Sequence, residues 1–298
     1  MIQTITIILE QACLYVPLIL GAYMSFSLLK VPDISIESAY VFGAILATKL
    51  LAAIQGMPTI LVLISVLIAS VVGGGVVGMI VALLTRVGKI PHLLASILTI
   101  GIFHGTSQFV LGGANVSLSP YDNPLAMLSG YAENPELPML LLINILVIGT
   151  CYLFLKTQLG FCFAVYGNNP LFFDHHHIST DFIVAVALIL SNGLAGLSGY
   201  FIAQSSGFVD INAGFGVPLF CITALIVGKV LAFRSCALIS VSRPLLGLFA
   251  YCTIQQLLLK VGFNLKYFTM VQSILVILLI INAYRKRKTP KMPDALGV

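Results

Sequence analysis

The chain has 298 residues, of which 59% are hydrophobic and only 8% are charged. Soluble domains carry roughly 25% charged residues, so this composition excludes an ordinary soluble protein, and only lipid can solvate so apolar a surface. The formal net charge is +5, and five basic residues lie in a short C-terminal segment. We therefore expect an all-α, polytopic membrane protein with one transmembrane domain over residues 1–284 and a basic tail over 285–298.

Apolar segments long enough to cross a bilayer follow one another with short connections. They cover residues 5–29, 38–54, 58–85, 91–111, 138–156, 181–203, 214–231, 244–261 and 267–284. The N-terminal segment has no basic start and no cleavage-site pattern, so it is predicted to be the first membrane helix rather than a signal peptide. Residues 31–56 allow two topologies. A full crossing gives nine helices with the N-terminus outside, whereas a broken or re-entrant segment gives eight with the N-terminus inside.

Positive charge is distributed unevenly between the two sides of these segments. Twelve of the fifteen basic residues fall on one side, which the positive-inside rule predicts to be cytoplasmic. They are Lys30, Arg86, Lys89, Lys156, Lys229, Arg234, Arg243 and the tail residues Arg285, Lys286, Arg287, Lys288 and Lys291. Lys49, Lys260 and Lys266 fall on the other side, together with the acidic segment 112–137. The tail could instead bind anionic lipid or nucleic acid, but the rule already predicts a cytoplasmic C-terminus.

Polar residues interrupt the apolar pattern at two places, in residues 31–37 and in GFVDINAGFG at 207–216. Ionisable residues are rare in membrane segments and often mark substrate paths, and interrupted helices form binding sites in many transporters. We therefore predict a substrate path lined by Asp33, Ser35, Glu37, Gln204, Asp210 and Asn212. Ordinary turn residues are the alternative. Both breaks contain a hydrophobic residue or proline, then Asp-Ile and a later glycine, which fits either an internal repeat or chance.

Other motifs predict packing rather than chemistry. Gly73–Gly75 with Gly78, and Ala195 with Gly199, have the small-residue spacing of tightly packed helices. Three adjacent histidines, His175–His177, cannot converge on one ion, so no metal site is expected. His104, within the fourth segment, is interpreted as a packing histidine. Catalytic motifs and a phosphate-binding P-loop are absent from the sequence, so we expect no enzyme activity and no cofactor in this chain, with any ATP bound by a separate polypeptide.

The segment 157–180 is predicted to be cytoplasmic and is unusually long for this chain. It mixes polar residues with Phe161, Phe163, Phe172 and Phe173. An aromatic, amphipathic element of this kind lies either on the membrane surface or in a groove of a partner protein.

An ordered set of segments resembles the permease subunits of bacterial ATP-binding-cassette (ABC) importers of the branched-chain amino acid/ribose type, and among them the tryptophan/tyrosine-type permeases. The segments are PDISIE (32–37), KIPHLLASILTIGIFHGTSQFVLGGANVSL (89–118) and LSNGLAGLSGYFIAQSSGFVDINAGFG (190–216). The resemblance extends over nearly the whole chain.

The resemblance implies an all-α permease of the bacterial inner membrane, paired with a second copy or a related subunit. It also implies cytoplasmic ATPase subunits that bind ATP, and an extracytoplasmic solute-binding protein. The segment LGFCFAVYGNN aligns with the family's coupling element, which docks on the ATPase. The coupling residues carried over or adjoining are Gly160, Tyr166, Gly167, Asn168, Asn169 and Asp174.

The chain departs from the family pattern mainly in this element. Ala164 replaces a common Arg, Asn168 replaces a common Asp, and Lys229 stands where an acid is frequent. The expected function is therefore transport of a small polar solute, an amino acid or a related compound, by an ABC importer. An ion-coupled secondary transporter and an integral-membrane enzyme are the alternatives.

Overall fold

The computed structural model describes residues 2–126, 135–176, 179–232, 240–263, 267, 270–274, 277–278 and 281. Ten α-helices and a two-stranded antiparallel sheet form this part of the chain. The helices are α1 (Ile2–Ala22), α2 (Ile36–Ala53), α3 (Thr59–Arg86), α4 (His92–Leu111), α5 (Leu137–Leu155), α6 (Gln158–Asn168), α7 (Leu171–His175), α8 (Asp181–Ser206), α9 (Val217–Leu231) and α10 (Ser242–Lys260). The strands are β1 (Asn115–Ser117) and β2 (Phe208–Asp210).

Two irregular helical segments extend this pattern. A π-helical segment (Tyr23–Leu29) continues α1, and a 3₁₀ turn (Ile211–Gly214) precedes α9. Among the described residues, seven helical segments are long and apolar enough to cross a membrane, which confirms the all-α, polytopic prediction. α10 is a helix where the eighth segment was predicted, but it is not one of these seven. Half of segment 267–284, and all of the basic tail, lie outside the described residues.

Contacts between helix ends define the two sides of the molecule. We call the first the α6 side. There Arg86 Nε lies 3.5 Å from Asp181 Oδ2, which joins the end of α3 to the start of α8. Lys30 Nζ donates a 2.8 Å hydrogen bond to Asn168 Oδ1, which joins the end of the π-helical segment to α6.

The opposite side, which we call the β-sheet side, holds the sheet. Asn115 of β1 pairs with Asp210 of β2. Lys49 Nζ donates to the carbonyl oxygen of Leu111, so the ends of α2 and α4 meet there. α2 begins inside the bundle, where Asp33 just before it bonds to Ser96 of α4 and Asn192 of α8, and it continues without interruption to the β-sheet side. α2 is one of the seven candidate spanning segments, and the break in the helical pattern is confined to residues 30–35.

Glycines bring α2, α3 and α8 into close contact at the centre of the bundle. A β-carbon at Gly74 would overlap the carbonyl of Asn192, and one at Gly43 would overlap the backbone of Gly196. A β-carbon at Gly199 would likewise overlap the Tyr40 carbonyl. Small residues allow such backbone approach in membranes, where packing drives helix association. The predicted packing role of the small-residue clusters is confirmed.

The outward faces of α3, α4 and α5 are apolar and exposed. Ile64, Ile68 and Leu83 on α3 and Ile145 on α5 are examples. These faces suit a lipid environment or contact with another membrane subunit.

Candidate functional site

A buried hydrogen-bond network surrounds Asp33 in the first polar break. Asp33 is 0% exposed, and its Oδ1 accepts hydrogen bonds from the backbone N–H of Ser35 at 3.0 Å and from Ser35 Oγ at 2.5 Å. Ser96 Oγ on α4 also donates to Oδ1, at 3.0 Å. Asn192 Nδ2 on α8 donates to Oδ2 at 2.7 Å. A buried acid side chain needs such partners, and here they join the break to α4 and α8.

The second polar break repeats one local feature of the first. Asp210 Oδ1 accepts a 2.8 Å hydrogen bond from the backbone N–H of Asn212, two residues on, as Asp33 does from Ser35. This arrangement turns the chain immediately before a helical segment. The predicted resemblance of the two breaks therefore extends from sequence to local conformation.

A cavity of about 370 Å³ brings residues of both breaks together. Glu37, from the first turn of α2, and Asn212, from the 3₁₀ turn, line it with His104 of α4. The close approach is possible because Gly214 packs against the backbone of Glu37, where a β-carbon would collide. An acid, an imidazole and an amide thus face one space with Phe103 and Phe215. Such a mixture of few polar groups and aromatic surface is typical of small-molecule sites.

The other predicted path residues lie elsewhere. Asp210 lines a separate cavity of about 180 Å³, between α2, α8 and β2. Gln204 is buried, and its Nε2 donates to the hydroxyl of Tyr200 at 3.1 Å. Asp33 and Ser35 are buried in their network rather than facing the Glu37 cavity. Sequence reasoning missed His104 as a lining residue. The available signal was its position one helical turn before Ser107, another residue of the same lining.

The predicted coupling element forms helix α6, which packs against the π-helical segment. Thr157 caps its start by accepting from the Gly160 N–H at 3.4 Å. A β-carbon at Gly167 would overlap the carbonyl of Leu28, so only glycine permits this contact. Asn168 accepts the hydrogen bond from Lys30. Ala164, which replaces a common Arg of the resembling family, is buried, where a small apolar side chain fits.

The corner between α6 and α7 presents an exposed surface. Asn169 is exposed and ends α6, and Tyr166 packs its ring 6.2 Å from that of Phe173. Asp174 lies within α7, and its side chain is outside the described set. Phe161 is 53% exposed and Phe172 is 42% exposed. Large exposed aromatic side chains on α6 and α7 are suited to contact with a partner protein.

The histidine cluster does not form a metal site in the part of the chain that is described. His175 is exposed, His176 Nδ1 lies 2.8 Å from the Phe172 carbonyl, and His177 is outside the described residues. No group of three potential metal ligands converges among the residues that were placed.

Comparison with known proteins adds an independent line of evidence. The family described as branched-chain amino acid transport system, permease component, matches residues 4–280. An uncharacterized protein of Rickettsia prowazekii is 30% identical over 260 residues, covering 86% of this chain and 89% of the relative.

Two transport proteins are also similar. The tyrosine transport system permease protein of Clostridioides difficile is 28% identical over 248 residues, covering 82% of this chain and 79% of its own length. The autoinducer 2 import system permease protein LsrC of Escherichia coli is 27% identical over 238 residues, covering 77% of this chain and 64% of LsrC. The search of solved structures found no match. The chain belongs to the branched-chain amino acid/ribose-type family of ABC importer permeases, as its matched residues, its polytopic helical fold and its sequence segments together show.

Proposed function

We propose that this chain moves an amino acid or a compound of similar size and polarity through the Glu37 cavity, across a bacterial inner membrane. A separate ATPase subunit supplies the energy, and an extracytoplasmic solute-binding protein delivers the solute. The observation that carries the proposal is the 370 Å³ cavity in which Glu37, His104 and Asn212 meet. Its volume falls within the roughly 300–1,000 Å³ of typical small-molecule sites.

The cavity's side chains suit a zwitterion. The Glu37 carboxyl group is an acceptor for an ammonium group, while His104 and the Asn212 amide offer donors to a carboxylate. Phe103 and Phe215 add aromatic surface, and Phe215 is 84% exposed. The similarity to a tyrosine transport permease makes aromatic amino acids the first substrates to test.

A second copy of the chain or a related subunit is proposed to close the cavity along α4. Gly101 and Gly105 have the spacing of a small-residue contact motif, and a β-carbon at either would meet open space. Gly101 itself lines the cavity. A partner helix seated on these glycines would complete the wall of a path between the two subunits.

Coupling to ATP hydrolysis is proposed to run through α6. Its exposed corner with α7 provides the ATPase-docking surface, formed by Tyr166, Asn169 and the aromatic residues beside them. Gly167 and Asn168 fix α6 to the π-helical segment. That segment leads through residues 30–35 into α2, which carries Glu37. Movement of α6 therefore reaches the cavity through one continuous stretch of chain, within which Asp33 and Ser35 hold the break in place.

The orientation follows from charge. Within the described chain, Lys30, Arg86, Lys89, Lys156, Lys229 and Arg243 occur at helix ends on the α6 side, and we assign that side to the cytoplasm. Lys49 lies near the end of α2 and contacts the Leu111 carbonyl on the β-sheet side, and Lys260 is the last residue of α10, whose first turn holds Arg243. The C-terminal tail is assigned to the cytoplasm by the same rule.

The test is uptake of radiolabelled tyrosine and a panel of amino acids by proteoliposomes containing the assembled transporter. Asn212→Ala removes a donor from the cavity and should lower uptake efficiency about tenfold, because a hydrogen bond to a charged group contributes roughly 1.5–3 kcal/mol. Thr106→Ala is the matched control, since Thr106 is on α4 and is not part of the lining, and within the described parts of the chain its hydroxyl bonds only to the Ile102 carbonyl of its own helix. Equal uptake by Asn212→Ala and the control would refute the cavity assignment.

An ion-coupled transporter is the second candidate, because Glu37 and His104 are two titratable groups in one cavity within the membrane. The two readings differ in what drives uptake. An ABC importer requires ATP and its ATPase, whereas an ion-coupled carrier works with this chain alone in an ion gradient.

A further inference from the structure

A second polar cavity, of about 500 Å³, opens on the α6 side between the π-helical segment, α9 and α10. Three cationic residues line it: Lys30, Lys229 and Arg243. Among the described residues, no Asp or Glu belongs to this lining. Three cations around one concave space without a carboxylate produce a positive potential that attracts an anion.

Most of the remaining cavity wall is apolar, with Tyr23 and Ser27 as its uncharged polar residues. Phe26, Ile222 and Ile226 are among its apolar lining residues. The cavity is therefore amphipathic, with charge from helix ends and hydrocarbon surface from the helices themselves. A free inorganic anion would satisfy the cations but leave this wall in contact with water.

The cations also lie at or near the ends of helical segments, where lipid phosphate groups meet membrane proteins. Lys30 directly follows the apolar segment Gln3–Leu29, and Lys229 lies in the last turn of the segment Ile211–Leu231. Arg243 lies in the first turn of α10. Basic residues at the ends of membrane helices meet the headgroup region, and basic pockets between helices bind anionic headgroups.

We propose that this cavity is a binding site for an anionic phospholipid. Lys30, Lys229 and Arg243 contact the phosphodiester, and an acyl chain lies along Phe26, Ile222 and Ile226. Lys30 has three donors, and among the described residues one of them is committed, to Asn168 Oδ1 of α6. Lys30 therefore links the lipid phosphate to α6, which forms part of the proposed ATPase-docking surface. Bound lipid would stabilise α6 in its position.

The experiment measures lipid binding by the purified full-length chain in a neutral detergent. Dioctanoyl phosphatidylglycerol, dioctanoyl phosphatidylcholine and inorganic phosphate are titrated separately, and bound lipid is counted by native mass spectrometry. We expect phosphatidylglycerol to bind at least tenfold more tightly than phosphatidylcholine. Lys229→Gln should weaken phosphatidylglycerol binding about fivefold, since a basic residue contributes about 1 kcal/mol to anionic-lipid attraction at the surface.

Matched variants separate this site from general charge. Lys156→Gln removes one positive charge on the same side but outside the cavity lining, and should change binding less than twofold. Lys229→Arg keeps the charge and should bind as the unmodified chain does. Lys229 is exposed, so these substitutions leave the packed core intact.

Three results would overturn the proposal. Equal affinity for the two lipids would show that the cations do not select an anionic headgroup. Equal losses in Lys229→Gln and Lys156→Gln would place the lipid elsewhere. Displacement of phosphatidylglycerol by an equal concentration of inorganic phosphate would show that the site binds a soluble anion instead. None of these readouts depends on transport, so they are independent of the proposed function.

Discussion

Replacing Asn192 by Ala tests whether the buried Asp33 network holds the bundle together. The substitution removes the 2.7 Å hydrogen bond from Asn192 Nδ2 to Asp33 Oδ2, and no other hydrogen bond to Oδ2 occurs among the described residues. It also removes a 2.9 Å bond to the Leu188 carbonyl within the same helix and a 3.3 Å bond that Asn192 Oδ1 accepts from Ser35 Oγ. The bond to an acid side chain is the larger loss, because bonds to charged groups contribute roughly 1.5–3 kcal/mol and ordinary ones roughly 0.5–1.5 kcal/mol.

The chain contains a closely matched control in Asn144 of α5. Asn144 is also buried, and its Nδ2 also donates to the carbonyl four residues earlier, Leu140, at 2.8 Å. Its second acceptor is a neutral carbonyl, that of Cys13 on α1, at 2.9 Å. The difference between the two variants therefore measures the bond to Asp33 together with the weaker bond from Ser35. Interhelical bonds in membranes average about 0.6 kcal/mol, so we expect about 1 kcal/mol for Asn144→Ala and about 2–3 kcal/mol for Asn192→Ala.

The assay is equilibrium unfolding in mixed micelles with increasing sodium dodecyl sulfate, followed by circular dichroism. Circular dichroism is appropriate because the chain has no Trp. Ser35→Ala should fall between the two Asn variants, since it removes one donor to Asp33 but keeps the bond from the Ser35 backbone N–H. If Asn192→Ala costs no more than Asn144→Ala, the Asp33 network does not stabilise the fold and our reasoning is wrong.

Three further predictions concern other parts of the molecule. Gly105→Leu should disrupt subunit pairing, whereas Gly149→Leu on α5 should not, although a β-carbon at either position meets open space. Light scattering in detergent gives the oligomeric state of each variant. Equal behaviour of the two variants would contradict an α4 interface. Gly167→Ala should destabilise the fold by about 1–3 kcal/mol, because the new β-carbon overlaps the Leu28 carbonyl. It should also lower the amount of solute transported per ATP hydrolysed. An unchanged ratio would show that α6 does not couple ATP hydrolysis to transport. The pKa of Glu136 is raised above 4.5, mainly by burial and to a smaller extent by the charge of Glu10, although the hydrogen bond from Asn123 opposes the shift. The folded state therefore favours the neutral form. The contribution of Glu136 to stability should then be fully present below pH 4.5 and be lost as pH rises through its folded-state pKa, and Glu136→Gln should abolish this loss in unfolding curves measured across pH.

The positions of the membrane helices follow closely from the sequence. The predicted segments 58–85, 91–111 and 138–156 correspond to α3 (Thr59–Arg86), α4 (His92–Leu111) and α5 (Leu137–Leu155). This agreement has a simple cause, because the length of an apolar segment and the polar residues that end it are local properties. The glycine contacts between α3 and α8 were also predictable, since membrane helices pack through small residues.

The site depends on contacts that the sequence does not display. Asp33 is buried because Ser96 and Asn192 reach it from 63 and 159 residues away. From sequence alone, an acid at a helix break is equally compatible with a path residue and a buried hydrogen-bonded residue. His104 likewise becomes a candidate site residue only in the folded chain, because the packing of Gly214 brings Glu37 and Asn212 beside it.

The central claim is that this permease moves its solute with energy from ATP bound on another subunit. The most direct measurement is amino acid uptake by proteoliposomes containing the chain and its ATPase, with the binding protein outside and ATP inside, after proton and sodium gradients have been dissipated. We predict uptake that requires both ATP and the ATPase and that falls about tenfold in Asn212→Ala. Uptake by the chain alone in an ion gradient, without ATP or the ATPase, would contradict the account.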